Sequence, residues 1–190
     1  MDSEINSLSE ESIEKNKKEI LRLLSSTGRT GVDKVTRYLE ENNFFEVPSS
    51  LDRHHNWRGG LAQHCLGVFN RLSQTGNDLP KDSVIITSFL HDICKADKYI
   101  KLKNGSWEKR TEIEPGHGSR SVKILRDLGL EMTEEEERAI KWHMGGWKIG
   151  ERPKEEIREF FAAKKSDLWR LLHNADRFDA SHFPANIKPQ

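Results

Sequence analysis

Ser88-Phe89-Leu90-His91-Asp92-Ile93-Cys94-Lys95 decides how this chain is read. A histidine followed directly by a carboxylate, inside an apolar helical run, is costly to bury unless a cation sits on both side chains. Matching ligands stand elsewhere. His64 closes Gly59-Gly60-Leu61-Ala62-Gln63-His64. His117 lies in Pro115-Gly116-His117-Gly118, His143 in Lys141-Trp142-His143-Met144-Gly145-Gly146, and Asp176 in Leu171-Leu172-His173-Asn174-Ala175-Asp176. The order is H, then HD, then H, H and D. His64 stands three residues after Leu61 and four before Val68, on the inward face of a helix expected from Gly59 to about Gln74. Alone, such a histidine is an ordinary hydrogen-bonded core residue; its five partners favour a ligand.

Helical periodicity fills most of the chain. Val84 to Leu90 is apolar nearly all round, which marks a central helix, expected to run to about Lys95. On that helix His91 and Lys95 lie one turn apart and share a face. Lys95 is thus placed for catalysis or phosphate binding, or for a salt bridge to an acid such as Asp97. Further helices are expected from the caps at Ser9-Glu10-Glu11-Ser12 to Gly28, from Val32 to Asn43, and from His117 to Gly129. Three more follow: one behind the capping box at Thr133, whose Glu134-Glu135-Glu136 reads as a solvated first turn, one from Pro153 through Phe161, and one from Ser166 to Ala180. Phe44-Phe45 with Val47-Pro48 reads as a core-plugging loop. Between Tyr99 and Thr111 the period drops to two around Asn104-Gly105, which predicts a β-hairpin on a type I′ turn. The fold class is therefore all-α with one small β-hairpin. Residues 1–43 are helices packing on the domain, 44–182 the domain itself, and 183–190 a tail.

A chain of 190 residues fits one domain with a proper core. Two cysteines, Cys65 and Cys94, make neither a disulfide framework nor a zinc-knuckle spacing and read as buried, reduced thiols. No stretch approaches the roughly 20 apolar residues that span a bilayer, and the start is polar and acidic, which predicts a cytoplasmic protein without membrane partners. Lys+Arg and Asp+Glu balance at 31 each, so no global basic field attracts a long polyanion.

These motifs resemble the HD-domain metal-dependent phosphohydrolases, from about Glu41 to Ala180. Small bacterial and phage members carry F-F-x-x-P-x-S, H-x-x-Y-x-G-G-L-x-x-H, L-H-D-x-x-K, G-H-G, W-H-M-G and L-L-H-x-A-D. Here stand Phe44-Phe45-Glu46-Val47-Pro48-Ser49-Ser50, then His54-His55-Asn56-Trp57-Arg58-Gly59-Gly60-Leu61-Ala62-Gln63-His64, then the segments above. Trp57 replaces the usual Tyr, and Arg58 stands where an acid is common. The resemblance implies a helical HD bundle in which His64, His91, Asp92 and Asp176 bind one metal. His117 and His143 supply a second, bridged by Asp92 as in binuclear members. His173 and Asp179, sharing a face with Asp176, are expected to orient it.

Imidazoles with carboxylates suit Mn, Fe, Co, Ni or Zn better than an all-oxygen magnesium site, so one or two divalent transition-metal ions are expected. Such ions activate water at neutral pH and clamp a phosphoryl oxygen, which points to hydrolysis of a phosphate ester or anhydride. Asp92 and Lys95 are the expected catalytic pair. Lys95, Arg58 and Arg120 are the basic groups nearest in sequence for phosphate, and His54 and Trp147 lie on loops expected to contact substrate. Three readings compete: a hydrolase of small phosphorylated molecules, nucleotides above all; a phosphodiesterase like the HD domain of bacterial 3′-5′ exoribonucleases; and a non-catalytic nucleotide- or metal-binding helical domain. The exoribonucleases carry a separate nucleic-acid module for which this chain has neither room nor a basic face, which disfavours nucleic acid. A degenerate domain would be expected to lack a ligand, and none is missing.

Overall fold

The computed structural model describes residues 8–110 and 116–183. Among these, eight α-helices form: α1 (Glu10–Ser26), α2 (Val32–Glu41), α3 (Gly60–Thr75), α4 (Lys81–Leu90), α5 (His117–Asp127), α6 (Glu134–Trp142), α7 (Lys154–Ala163) and α8 (Asp167–His182). One hairpin, β1 (Tyr99–Lys101) and β2 (Trp107–Lys109), pairs antiparallel with Tyr99 opposite Lys109. Local chemistry sets the helix starts. Ser9 accepts the Ser12 amide at 3.1 Å, Ser166 accepts the Trp169 amide at 3.1 Å, and Thr133 and Glu136 form a reciprocal capping box.

Every residue of α4 from Ser83 to Leu90 is buried, because α1, α3, α6 and α8 surround it. α3 is also packed on several sides, which is why Leu61, His64, Cys65, Val68 and Leu72 are all inside. The apolar side chains form two clusters. One joins Ile20, Leu24, Val35, Leu39, Phe44, Val47, Leu61 and Phe89, so α1 and α2 share a core with α3 and α4. The other joins Val68, Leu72, Ala139, Trp142, Phe160 and Leu172. Each fully buried Leu or Phe contributes roughly 1.5–3 kcal/mol to this packing. α3, α4 and α6 contribute to both clusters, and all three lead to the polar centre described below.

Four expectations are corrected. The central helix stops at Leu90: Asp92 leaves helical geometry (φ −111°, ψ 16°), and a single 3-10 turn, Ile93–Lys95, follows. His91 and Lys95 therefore do not share a helical face. The hairpin turn is not type I′, which needs positive φ at both central residues. Only Gly105 has positive φ (+82°); the Gly105 amide donates to the Leu102 carbonyl at 2.9 Å and the Leu102 amide to the Ser106 carbonyl at 2.8 Å, a longer loop with the glycine as its bulge. Glu136 is not solvated but fully buried, where it accepts hydrogen bonds from Ser83 Oγ (2.7 Å), the Thr133 amide (2.8 Å) and Arg29 Nη2 (2.9 Å). Finally, α8 continues two residues past Ala180, to His182. The Glu114-Pro115 approach to His117, the hairpin's end at Thr111 and the tail beyond Phe183 lie outside the described residues. No described helix is long and apolar enough to cross a membrane.

Candidate metal centre

The break after Leu90 turns Asp92 into the middle of the molecule, where it is 2% exposed. Its two oxygens face different partners. Oδ2 lies 3.5 Å from His91 Nε2 and 3.8 Å from His64 Nε2, and His64 Nε2 lies 3.2 Å from Asp176 Oδ1. Asp176 Oδ1 is 4.0 Å from His91 Nε2. Oδ1 of Asp92 faces His143 Nε2 at 3.5 Å and touches His117 Nε2. Donor atoms held ~2.0–2.2 Å from one ion sit roughly 3–4 Å from each other, the spacing seen here.

Each histidine has its other nitrogen occupied. His91 Nδ1 donates to the Ser88 carbonyl at 2.9 Å and His143 Nδ1 to the Ile140 carbonyl at 2.7 Å. His64 Nδ1 meets Asp179 Oδ2 at 2.6 Å, and His117 Nδ1 meets Cys94 Sγ at 3.1 Å. A carbonyl or carboxylate only accepts, so the proton sits on Nδ1 of His64, His91 and His143, and a neutral ring presents its Nε2 lone pair to the centre. Those three Nε2 atoms are buried with no hydrogen-bond partner. Orphaned polar atoms of this kind are rare in native interiors, and three of them converging on two carboxylates fit a cation. His117, 27% exposed in its side chain, is the solvent-facing member and marks the open side.

The electrostatics agree with a site built for positive charge. Burial is the largest effect on Asp92 and would raise its pKa, but Lys95, His117 and His91 outweigh it and hold the carboxyl well below the usual range. Asp176 is likewise lowered, burial being overcome by His64 close beside its carboxylate and by the imidazoles of His91 and His143. Burial drives His91 down to about 3 and lowers His117 against the pull of Asp92. His64 goes the other way, to about 9, because Asp176 and Asp179 together overcome its burial; His143 is raised by Asp92 in the same manner. Loading a metal on His64 must therefore release its proton.

The remaining expected residues fall into three groups. Lys95 folds back on the 3-10 turn: its Nζ lies 2.6 Å from Asp92 Oδ2 and 3.2 Å from Ser49 Oγ, in a buried position. Asp97 is not its partner but that of Arg120, whose Nη2 donates to both Asp97 oxygens (2.6 and 2.8 Å) and whose Nη1 donates to the Cys94 carbonyl. Arg58 is engaged by Glu46 and Glu10. Both arginines expected to bind phosphate are thus engaged with carboxylates. His54 is half-buried with its ring 4.9 Å from that of His64, whereas Trp147 is 79% exposed on the loop after His143. Trp57, at the substituted family position, is a core residue, its indole N–H donating to Gln63 at 2.8 Å.

Asp179 and His173 do not orient Asp176 as expected. Asp179 holds His64, and His173 donates to the His143 carbonyl at 2.5 Å while stacking on Trp169. Four contributors escaped the sequence reading. Ser49 and Cys94 reach the centre across loops. Gly67 and Gly118 matter for the side chain they lack: a Cβ on Gly67 would stand 1.9 Å from Asp179 Oδ1, and one on Gly118 2.1 Å from the Lys141 carbonyl. Only the glycine identities were visible in advance, with nothing local to say what approaches them.

Residues 61–181 match the family described as HD domain, a stretch that holds all six converging side chains. The dihydroneopterin 2′,3′-cyclic phosphate phosphodiesterase of Methanocaldococcus jannaschii is 28% identical over 97 residues, covering 46% of this chain and 39% of that enzyme. The aligned part is thus well under half of the relative's length. No solved structure matches the chain. With more than half its length in the match, this chain belongs to the HD domain family.

Proposed function

We propose that the protein hydrolyses a phosphate ester of a small, nucleotide-like molecule, with a cyclic phosphodiester as the leading substrate class. The observation that carries this reading is the division of Asp92 between two histidine sets, His64 and His91 on one oxygen, His117 and His143 on the other, with three Nε2 atoms left unpartnered. His64, His91, Asp92 and Asp176 would hold one divalent ion, and Asp92, His117 and His143 a second; mixed imidazole and carboxylate donors favour Mn, Fe, Co, Ni or Zn. When bound, such ions lower the pKa of water and stabilise charge on a phosphoryl group. Buried Lys95 holds Asp92 ionised and keeps an ammonium beside the centre, where it can neutralise phosphate charge. Half-buried His54, lowered to about 4 by burial, stays neutral and can accept a hydrogen bond from a substrate hydroxyl. The cyclic-ester class follows from the named activity of the Methanocaldococcus relative. The balanced charge and the engagement of Arg58 and Arg120 with carboxylates speak for a small substrate over a polynucleotide.

The test is a screen of the metal-supplemented protein, with Mn, Fe or Co, over 2′,3′-cyclic and 3′,5′-cyclic nucleotides, nucleoside mono- and polyphosphates, cyclic dinucleotides and short RNA, alongside Asp92→Ala. Turnover of a cyclic phosphodiester, absent in Asp92→Ala and after chelation, is the expected result. Metal-independent turnover, or turnover of RNA alone, would overturn it.

A further inference from the structure

We infer that His55 is a positioning residue for the metal centre, acting on His64 through Asp179. The inference rests on the metal-dependent reading above. His55 is fully buried, and its backbone is held left-handed (φ +46°), a conformation few non-glycine residues adopt. The surroundings impose it. The Ser49 amide donates to the His55 carbonyl at 3.0 Å, the His55 amide to the Phe183 carbonyl at 3.3 Å, and Gly60 makes room, since a Cβ there would stand 2.1 Å from the His55 carbonyl.

Packing accounts for a large ring at this position but not for an imidazole. Trp57 and Phe183, with ring centres 5.2 and 4.8 Å away, would accept a phenylalanine or leucine equally well. The nitrogens are what the apolar alternatives lack. Nδ1 faces His54 Nδ1 at 3.3 Å, and Nε2 faces Asp179 Oδ2 at 3.5 Å, the same oxygen that meets His64 Nδ1 at 2.6 Å. The Nε2 contact is longer than a formed hydrogen bond, and His55 Nε2 is otherwise unpartnered, so Asp179 is the acceptor within reach of this buried group. A carboxylate cannot donate, which puts the proton on His55 Nε2 and leaves Nδ1 to accept from His54. The chain then runs from His54 through His55 to Asp179, and Asp179 fixes the ring of His64 with its Nε2 lone pair turned to the centre.

Asp179 needs a second hold. Its other oxygen passes over Gly67, where no side chain braces it, and both Asp179 and His55 line a cleft of about 450 Å³ shared with Asn16, Gln63 and Phe183. Without His55, the carboxylate has an open space to turn into, and His64 loses its orienting partner.

The test is cobalt(II) titrated into metal-free protein, read by calorimetry and by the visible absorption of the bound ion. His55→Leu, which removes both nitrogens, should weaken cobalt binding by roughly 10–100-fold and alter the spectrum. His55→Gln, which keeps an N–H at the Nε2 position, should restore most of both. In an Asp179→Asn background, His55→Leu should add no further loss. Should His55→Leu fail to fold, His55→Asn, whose amide stops short of Asp179, replaces it. Wild-type affinity and spectrum in the Leu or Asn variant, or an undiminished loss in the Asp179→Asn background, would overturn the inference. Absence of cobalt binding by the wild-type protein would instead sink the metal-dependent reading itself.

Discussion

A single carboxylate facing four imidazoles and an ammonium sets the terms for every residue around it. If Asp92 bridges two ions, removing a histidine on one side should empty that side only. His117→Ala is expected to lower the metal content of purified protein from about two ions to about one and to cut turnover by ~100-fold or more, with the helical circular dichroism spectrum kept. Elemental analysis decides it: unchanged stoichiometry with lost activity would assign His117 to substrate contact. Glu136 makes the opposite kind of demand. It is buried with Arg29, Ser83 and the Thr133 amide on it, so Glu136→Ala strands three donors and should cost ~3 kcal/mol in urea unfolding of metal-free protein. A loss under ~1 kcal/mol would mean that water satisfies those donors. The six converging side chains were legible as ligand candidates from residue type and order. The partners of Glu136, Arg58 and Asp179 were not, because an acidic run reads as a solvated turn until the helix it packs against is known.

Among the helices, close approach does what side chains cannot. α5 meets α6 at Gly118, which lies against the Lys141 and Ile140 carbonyls, and Ile140 is the acceptor that fixes His143. Gly118→Ala places a methyl 2.1 Å from backbone and must push α5, with His117 at its start, away from His143. Overpacking of this kind costs ~1–3 kcal/mol. The expected outcome is a lower melting temperature together with loss of about one metal ion, whereas Gly129→Ala, which meets no neighbouring atom, should leave metal content alone. Equal metal content in Gly118→Ala and wild type would remove the helix contact from the account. The eight helices were readable from period and caps. The early end of α4 was not, since the pattern of Ser88 to Lys95 continues helically while the pull on Asp92 and Lys95 comes from α3, α5, α6, α8 and the loop at Ser49.

For the whole molecule, the buried imidazoles couple stability to pH and to metal. His54, His55 and His91 are lowered by burial to about 4, 2 and 3. As pH falls below ~6.5, the unfolded chain binds protons that the folded one refuses, and stability drops. His64, raised to about 9, and His143 contribute stability that is complete below ~6.5 and is lost as pH rises toward 9. Metal-free protein should thus melt highest near pH 6.5. Added Mn or Co should lift the melting temperature more at pH 8.5 than at pH 6.5, because the proton that the metal displaces from His64 is held less firmly as pH approaches 9. Melting curves at pH 5, 6.5 and 8.5 with chelator and with metal check this, and a steady rise from pH 5 to 8.5 in chelator would contradict it. The sequence by itself determined the helical class, the all-round burial of α4 and which six side chains are ligand candidates, since hydrophobic period and ligand chemistry are local properties. Only the tertiary structure decided that Asp179 serves His64, that Lys95 lies between Asp92 and Ser49, and that His55 stands behind them. Those pairings join residues far apart in the sequence, His64 and Asp179 by 115 positions, and only the packing of helices brings such residues together.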